Sequence, residues 1–191
     1  MSSSLLRLSG DASLLAGEIA AGDHIAHFYE SDAVLIDTLT GFVGGGLIAG
    51  ESTIIIATPG HLRSLELRLA DSDVDLVSAI LEDRYIAMDA DATLASFMVN
   101  GRPDEQRFAR LLAQLLERAT VKNRRVRAFG EMVALLWARG ETAATVRLEQ
   151  LWKMVCESQP LSLFCAYPKA GRARGPQASL DDICSAHTRV I

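Results

Sequence analysis

Short apolar runs alternate along the chain with longer segments in which apolar residues recur every three or four positions. The runs are typical of buried strands and occupy residues 25–29, 53–57, 85–88, 126–129 and 161–166. The segments between them predict helices at residues 32–43, 59–69, 73–81, 91–99, 104–116, 132–137, 142–156 and 180–186. Strands that are apolar on both sides and alternate with helices predict an α/β fold. The expected sheet is mainly parallel and doubly wound, with a helical layer on each face.

Turn residues predict where these helices begin and end. Ser31 or Asp32 caps the first helix of the α/β pattern, and the glycine run at 44–46 is expected to loosen its end. Gly140 separates two later helices. Residues 1–21 are expected to form a flexible leader with a short helix near 12–20, and residues 22–191 a single domain.

Polar residues follow the predicted strands at the points where the strands end. In parallel sheets of this kind, ligands bind outside the carboxyl ends of the strands. We therefore predict one ligand-binding edge. Its expected residues are Glu30, Thr58, Gly60, His61, Asp89, Glu131 and Tyr167.

The turn at 58–60 has the strand–turn–helix layout of a phosphate-binding loop without its chemistry. A P-loop needs glycine amides around the phosphates, a lysine for their charge and a hydroxyl for magnesium, as in G-x-x-x-x-G-K-[ST]. Here His-Leu-Arg-Ser stands at 61–64, where Gly-Lys-Ser/Thr would be. This predicts no ATP hydrolysis, and it leaves two interpretations of the turn: an anion site at a helix start or a tight β–α turn.

Glu131 has two interpretations as well. It could receive a ligand's hydroxyl or amine or pair with His61, or it could be a carboxylate stabilised by the start of its own helix.

Trp152 lies in an apolar helical stripe that faces the core or a partner.

Composition narrows the possible functions. The chain has 191 residues and a net charge of -5, which argues against nucleic-acid binding. No signal-peptide core and no uncharged apolar stretch of about eighteen residues occurs, so we expect a cytoplasmic protein with no membrane association.

Cysteine and histidine spacing gives no sign of a metal site. Cys156, Cys165 and Cys184 include no C-x-x-C pair. His24 and His27 are three residues apart on a strand and point to opposite faces. We expect no metal and no cofactor.

Several strings occur together in the order found in one known family. They are HIAHFYESDAVLIDTLTGFVGGGLIAGESTIIIATPGH, MDADATLASFMVNGRPDEQRF, VRAFGEMVALLW, LEQLWKMV, LSLFCAYP and DICSAHTRV. Together they resemble a MEDS domain, the methanogen/methylotroph DcmR sensory domain, over residues 22–191. The resemblance implies a RecA/KaiC-like core that has lost its Walker A sequence. It also implies a sensory role for small organic or hydrocarbon-derived signals, often beside histidine-kinase or transcription-regulator modules.

We therefore expect a non-catalytic bacterial sensory domain that binds a small organic ligand at the strand ends. The sequence carries no kinase, DNA-binding or receiver domain, so output is expected through a separate protein such as a histidine kinase or transcription regulator. Two alternatives stay open: a degenerate NTP-binding protein or weak ATPase, and an interaction module with a vestigial site. Assembly into a homo-oligomer is also left open.

Overall fold

Six parallel strands form the central sheet. The computed structural model describes residues 15–17, 19–169 and 177–191, with only the helical backbone given at 177–180. The strands are β1 (His24–Tyr29), β2 (Ser52–Ala57), β3 (Tyr85–Asp89), β4 (Met98–Val99), β5 (Arg102–Pro103), β6 (Val126–Gly130), β7 (Leu161–Pro168) and β8 (Arg189–Val190). The main sheet has the order β3-β2-β6-β7-β1-β8, and every neighbouring pair is parallel.

Helices cover both faces of this sheet. They are α1 (Asp32–Ile48), α2 (Pro59–Ala70), α3 (Leu76–Leu81), α4 (Ala90–Phe97), α5 (Glu105–Ala119), α6 (Met132–Ala138), α7 (Thr142–Ser158) and α8 (Gln177–Ala186). The first three pack on one face, and the other five pack on the opposite face. The predicted three-layer, doubly wound α/β fold is confirmed. None of the helices in the described ranges combines the length and apolarity needed to span a bilayer.

Alternation along each strand divides the core in two. On β2, Ile54 and Ile56 enter the core under α4–α8, whereas Ile55 and Ala57 enter the core under α1–α3. A strand buried on both faces has no solvent side, which explains why apolar residues predominate in these strands.

The glycine run does not end the first helix, contrary to the sequence prediction. Gly44, Gly45 and Gly46 lie inside α1, which continues to Ile48. A Cβ on Gly45 would lie 2.2 Å from the carbonyl oxygen of Ala16. A Cβ on Gly46 would lie 2.8 Å from Cδ of Arg127. Gly45 and Gly46 therefore allow Ala16 and Arg127 to pack directly against the backbone of α1.

Two further elements differ from prediction. The helix expected at 91–99 ends at Phe97, and Met98–Val99 pairs with Arg102–Pro103 as an antiparallel hairpin. Asn100 and Gly101 turn it with φ of 50° and 75°, the left-handed backbone that an Asn-Gly hairpin turn requires. Strand β8 was not predicted because two residues carry no periodicity.

The described part of the N-terminal segment packs against the domain. Leu15 and Ile19 are fully enclosed in the core under α1–α3. The buried guanidinium of Arg127 donates from Nη1 to the Leu15 carbonyl at 3.0 Å and from Nη2 to the Gly17 carbonyl at 3.0 Å. Its Nε is ion-paired with Glu51.

Candidate functional site

Glu131 joins two neighbouring strand ends. It follows β6 directly, and its backbone N–H donates to the carbonyl of Ile56 on β2 at 2.8 Å. Only 5% of the residue is exposed. Its carboxylate reaches the start of α2, where Oε2 accepts the backbone N–H of Thr58 at 2.7 Å. Its Oε1 lies 2.8 Å from Nδ1 of His61 and 3.4 Å from the Thr58 hydroxyl oxygen.

His61 is held between two carboxylates. Its Nδ1 faces Glu131, and its Nε2 lies 3.7 Å from Oδ2 of Asp32 at the start of α1. The hydrogen bond to Glu131 raises the pKa of His61 above its ordinary value. Partial burial opposes this rise, and the charge of Asp32 adds to it. The imidazole therefore favours its protonated form here.

Tyr29, the last residue of β1, lies beside the same acidic groups. Burial raises the pKa of its phenol to about 12, and the negative charges of Glu131 and Asp32 add to the shift. The phenol stays protonated at neutral pH. The carboxylates of Glu131 and Asp32 therefore both act on this end of β1.

A cleft of about 580 Å³ begins between the starts of α1 and α2 and extends along α2 to Asp71, just past the end of that helix. Its size falls within the range of small-molecule sites. Charged and hydroxyl-bearing side chains line it together with a few apolar ones. The lining residues are Asp32, Ala33, Ile36, Thr58, Gly60, His61, Ser64, Leu67, Arg68 and Asp71.

The start of α2 is already occupied by the protein's own carboxylate. Glu131 accepts the Thr58 amide, and Pro59 at the first helical position has no N–H. A phosphate at this helix start would compete with Glu131 for the Thr58 amide and would meet its negative charge. The turn at 58–60 therefore differs from an anion-binding loop in its donors as well as in its sequence.

The structure brings together four of the seven predicted residues: Thr58, Gly60, His61 and Glu131. Gly60 lines the cleft from the first turn of α2. Tyr29 and Asp32 were missed. Asp32 was weighed only as a helix cap, although it follows a strand end by three residues.

The other three predicted residues have different roles. Glu30 is exposed and pairs with Nζ of Lys169 at 2.8 Å. Asp89 caps α4 and accepts the Ala92 amide at 2.7 Å. Tyr167 is fully buried under α4–α8, because alternation along β7 turns its side chain to that face. The predicted set does not form one site.

The phenol of Tyr167 leads to a second polar cluster, inside the core. It donates to Glu149 of α7, which is 1% exposed. His24, Cys165 and His187 surround the same carboxylate. Sequence reasoning missed this cluster because its members come from four separate segments. The one available signal was an acidic residue within an apolar helical stripe.

The comparisons agree with the fold and the sequence motifs. A family model described as MEDS, MEthanogen/methylotroph, DcmR Sensory domain, matches residues 23–188. No curated protein shows significant similarity to the chain.

Proposed function

The chain belongs to the MEDS family of sensory domains, and from this membership and the cleft we propose that it senses a small organic molecule bound between the starts of α1 and α2. The observation that supports this most is the buried Glu131–His61 pair. A carboxylate that is almost fully enclosed and still fixes an imidazole at the wall of a cleft is typical of a preorganised binding group.

His61 is the group proposed to contact the ligand. Glu131 uses Oε1 for His61 and Oε2 for Thr58, so it orients the ring. The other ring nitrogen, Nε2, is directed toward Asp32 at 3.7 Å. A ligand hydroxyl placed beside them would accept from the protonated Nε2 and donate to Asp32, whereas a ligand amine would donate to Asp32 alone.

Charge favours one class of ligand. Asp32, Asp71 and the nearby Glu131 are acidic, and the one arginine of the lining, Arg68, is paired with Asp37 at 2.7 Å. The cleft is therefore matched to a neutral or cationic molecule that carries a hydroxyl or amine. Carboxylates and phosphates would be repelled.

The proposed output passes through a separate signalling protein, such as a histidine kinase or a transcription regulator. A ligand between the starts of α1 and α2 would bridge two helices of one layer. A change in their relative position would reach the outer surface of that layer directly. No step of this proposal needs catalysis.

The proposal is tested by NMR titration of the ¹⁵N-labelled protein with short-chain alcohols, amines and carboxylates, each added separately. We expect saturable shifts for an alcohol or amine at the amides around 31–34 and 58–64. Carboxylates are expected to give none.

Two variants set the controls. His61→Gln should abolish the shifts. Glu117→Gln, which changes an exposed carboxylate on α5 across the sheet, should keep them. Saturable binding unaffected by His61→Gln, or absence of binding to the whole panel, would contradict the proposed site.

A further inference from the structure

Four metal-binding side chains meet in the core under α4–α8, away from the cleft. They are His24 at the start of β1, Glu149 on α7, Cys165 on β7 and His187 after α8. One donor atom from each lies within 4.8 Å of all the others. The side chains of His24, Glu149 and His187 are at most 2% exposed, and Cys165 is fully buried.

Four separations between donor atoms lie near those around one small cation, and the whole set falls within 4.8 Å. Glu149 faces His24 with one carboxylate oxygen and His187 with the other. Nε2 of His24 lies 3.2 Å from Oε2 of Glu149, and Nε2 of His187 lies 3.5 Å from Oε1. Sγ of Cys165 lies 3.5 Å from the His24 nitrogen and 3.8 Å from Oε2. Tetrahedral zinc with bonds of about 2.0–2.3 Å places its ligands about 3.3–3.8 Å apart.

Both imidazoles are oriented by their second nitrogen. Nδ1 of His24 lies 3.0 Å from the carbonyl oxygen of Ala186, and Nδ1 of His187 lies 2.6 Å from that of Ile183. A carbonyl oxygen only accepts, so each Nδ1 carries the proton. Metal-ligating histidines are typically fixed in this way by a backbone carbonyl.

In this orientation the Nε2 atoms of both histidines face the Glu149 carboxylate, and a cation bound between them would remove the repulsion between their lone pairs and its negative charge. If each ring carries only its Nδ1 proton, both Nε2 lone pairs face the Glu149 carboxylate. Nε2 of His187 is buried and has no hydrogen-bond partner among the described residues. Protonating His24 alone would pair it with Glu149 at 3.2 Å but would leave the buried His187 Nε2 lone pair facing the carboxylate. Protonating both rings would place two imidazolium ions 3.9 Å apart between centroids, against a single carboxylate. Buried charges of this kind are costly unless fully paired.

We propose that the protein binds one Zn²⁺ through His24 Nε2, His187 Nε2, Glu149 and Cys165 Sγ. Two nitrogens, a carboxylate oxygen and a thiolate are an accepted zinc ligand set. On binding, the Cys165 thiol releases its proton to solvent. The charges of thiolate and carboxylate then balance those of the ion. Tyr167 donates to Glu149 as an outer partner.

Four protein ligands leave no open position, so this zinc is structural. It ties the segment after α8 to β1, β7 and α7. The hydrogen bonds of Thr188 to His24 join the same parts: Thr188 N–H donates to the His24 carbonyl at 2.7 Å, and the Thr188 hydroxyl donates to it at 3.0 Å. Loss of the ion is expected to loosen the C-terminal segment first.

The experiment uses the full chain. The protein is stripped with a chelator and titrated with Co²⁺, a spectroscopic substitute for zinc. We expect a 1:1 complex with the visible bands of tetrahedral cobalt and a thiolate-to-cobalt charge-transfer band. In weak buffer, each Co²⁺ bound should release at least one proton, that of the Cys165 thiol. Zn²⁺ should displace the cobalt and raise the melting temperature.

Variants separate this site from any other. Cys165→Ser should abolish the charge-transfer band, and His187→Gln should weaken Co²⁺ binding by more than about 100-fold, beyond the effect typical of an outer-partner change. Cys156→Ser is the matched control, since Cys156 is a buried thiol on α7 outside the cluster. It should leave every signal unchanged.

Two outcomes would overturn the proposal. The first is a folded wild-type protein that binds neither Co²⁺ nor Zn²⁺ at micromolar concentration, which would make the cluster a hydrogen-bonded network only. The second is cobalt binding that survives in both Cys165→Ser and His187→Gln. The wild-type titration decides the question even where a variant fails to fold.

Discussion

At the scale of single residues, both carboxylate oxygens of Glu131 contact groups of the protein itself. One oxygen accepts the Thr58 amide and the other faces the His61 ring. The sequence left its role open between contacting a ligand, pairing with His61 and being stabilised by the start of its own helix. The geometry shows the pairing with His61, and Glu131 thereby positions the ring that lines the cleft.

The first prediction concerns the pKa of His61, which lies above its ordinary value of about 6.5. Glu131→Gln removes the largest cause and should lower this pKa, as measured by pH titration of the His61 ring signals by NMR. Asp32→Asn should lower it less. Equal midpoints in wild type and Glu131→Gln would contradict the assignment.

The raised pKa of His61 also determines how the stability of the protein changes with pH. Because the pKa of His61 is raised in the folded protein, its stabilising contribution is complete below about pH 6.5 and is lost as the pH rises through the raised value. The melting-temperature advantage of wild type over His61→Gln should therefore shrink with rising pH. A melting-temperature advantage of wild type over His61→Gln that grows with pH would contradict this prediction.

The second prediction is that Trp152→Ala lowers the free energy of unfolding by about 3–5 kcal/mol. Trp152 is fully buried and packs edge-on against Phe108 with ring centroids 5.0 Å apart. Burial favours the core interpretation over a partner-facing stripe. Chemical denaturation measures the change. A nearly unchanged stability would contradict this role.

At the scale of elements, apolar runs predicted the five longer strands of the main sheet to within a residue or two at each end. They did so because β1, β2, β6 and β7 are buried on both faces, and the edge strand β3 is buried at its first two residues. The sequence pattern predicted a wrong helix end where contacts with residues distant in sequence determine the structure. The glycines of α1 look like a helix end in sequence, and only the position of Ala16 and Arg127 explains them.

Gly45 and Gly60 form a matched pair for the third prediction. Gly45→Ala places a Cβ 2.2 Å from the Ala16 carbonyl oxygen, and overpacking of this kind costs about 1–3 kcal/mol. Gly60→Ala meets no described atom within 4 Å and should be neutral or stabilising by up to about 1 kcal/mol. Thermal melts of both variants test the contrast. Equal effects would contradict the packing of the segment at 15–17.

At the scale of the whole molecule, strand order decides which predicted residues meet. Strands β2 and β6 are neighbours, so Thr58 and His61 lie beside Glu131. Asp89 ends β3, the other neighbour of β2, but its carboxylate caps α4. The sequence shows that strands end in polar residues but not which strands are adjacent. Strand adjacency brought four of the seven predicted residues together, whereas helix capping engages Asp89 and alternation along β7 turns Tyr167 to the other face.

The fourth prediction is that magnesium and ATP give only background hydrolysis. The chain lacks the lysine and hydroxyl of a P-loop after Gly60, and Glu131 already occupies the Thr58 amide. A phosphate-release assay measures this. Robust turnover that Glu131→Gln abolishes would contradict it and favour the degenerate NTPase alternative.

The hydrogen bonds of the buried Arg127 indicate which N-terminal residues the domain needs. A chain shortened to the family match would begin at residue 23. Its Arg127 would keep Glu51 and the Phe42 carbonyl but lose those of Leu15 and Gly17. Unsatisfied buried donors cost about 1–3 kcal/mol, more when charged. Leu15, Gly17 and Ile19 thus bind to their own domain as an intramolecular peptide, and this packed segment lies before the start of the family match.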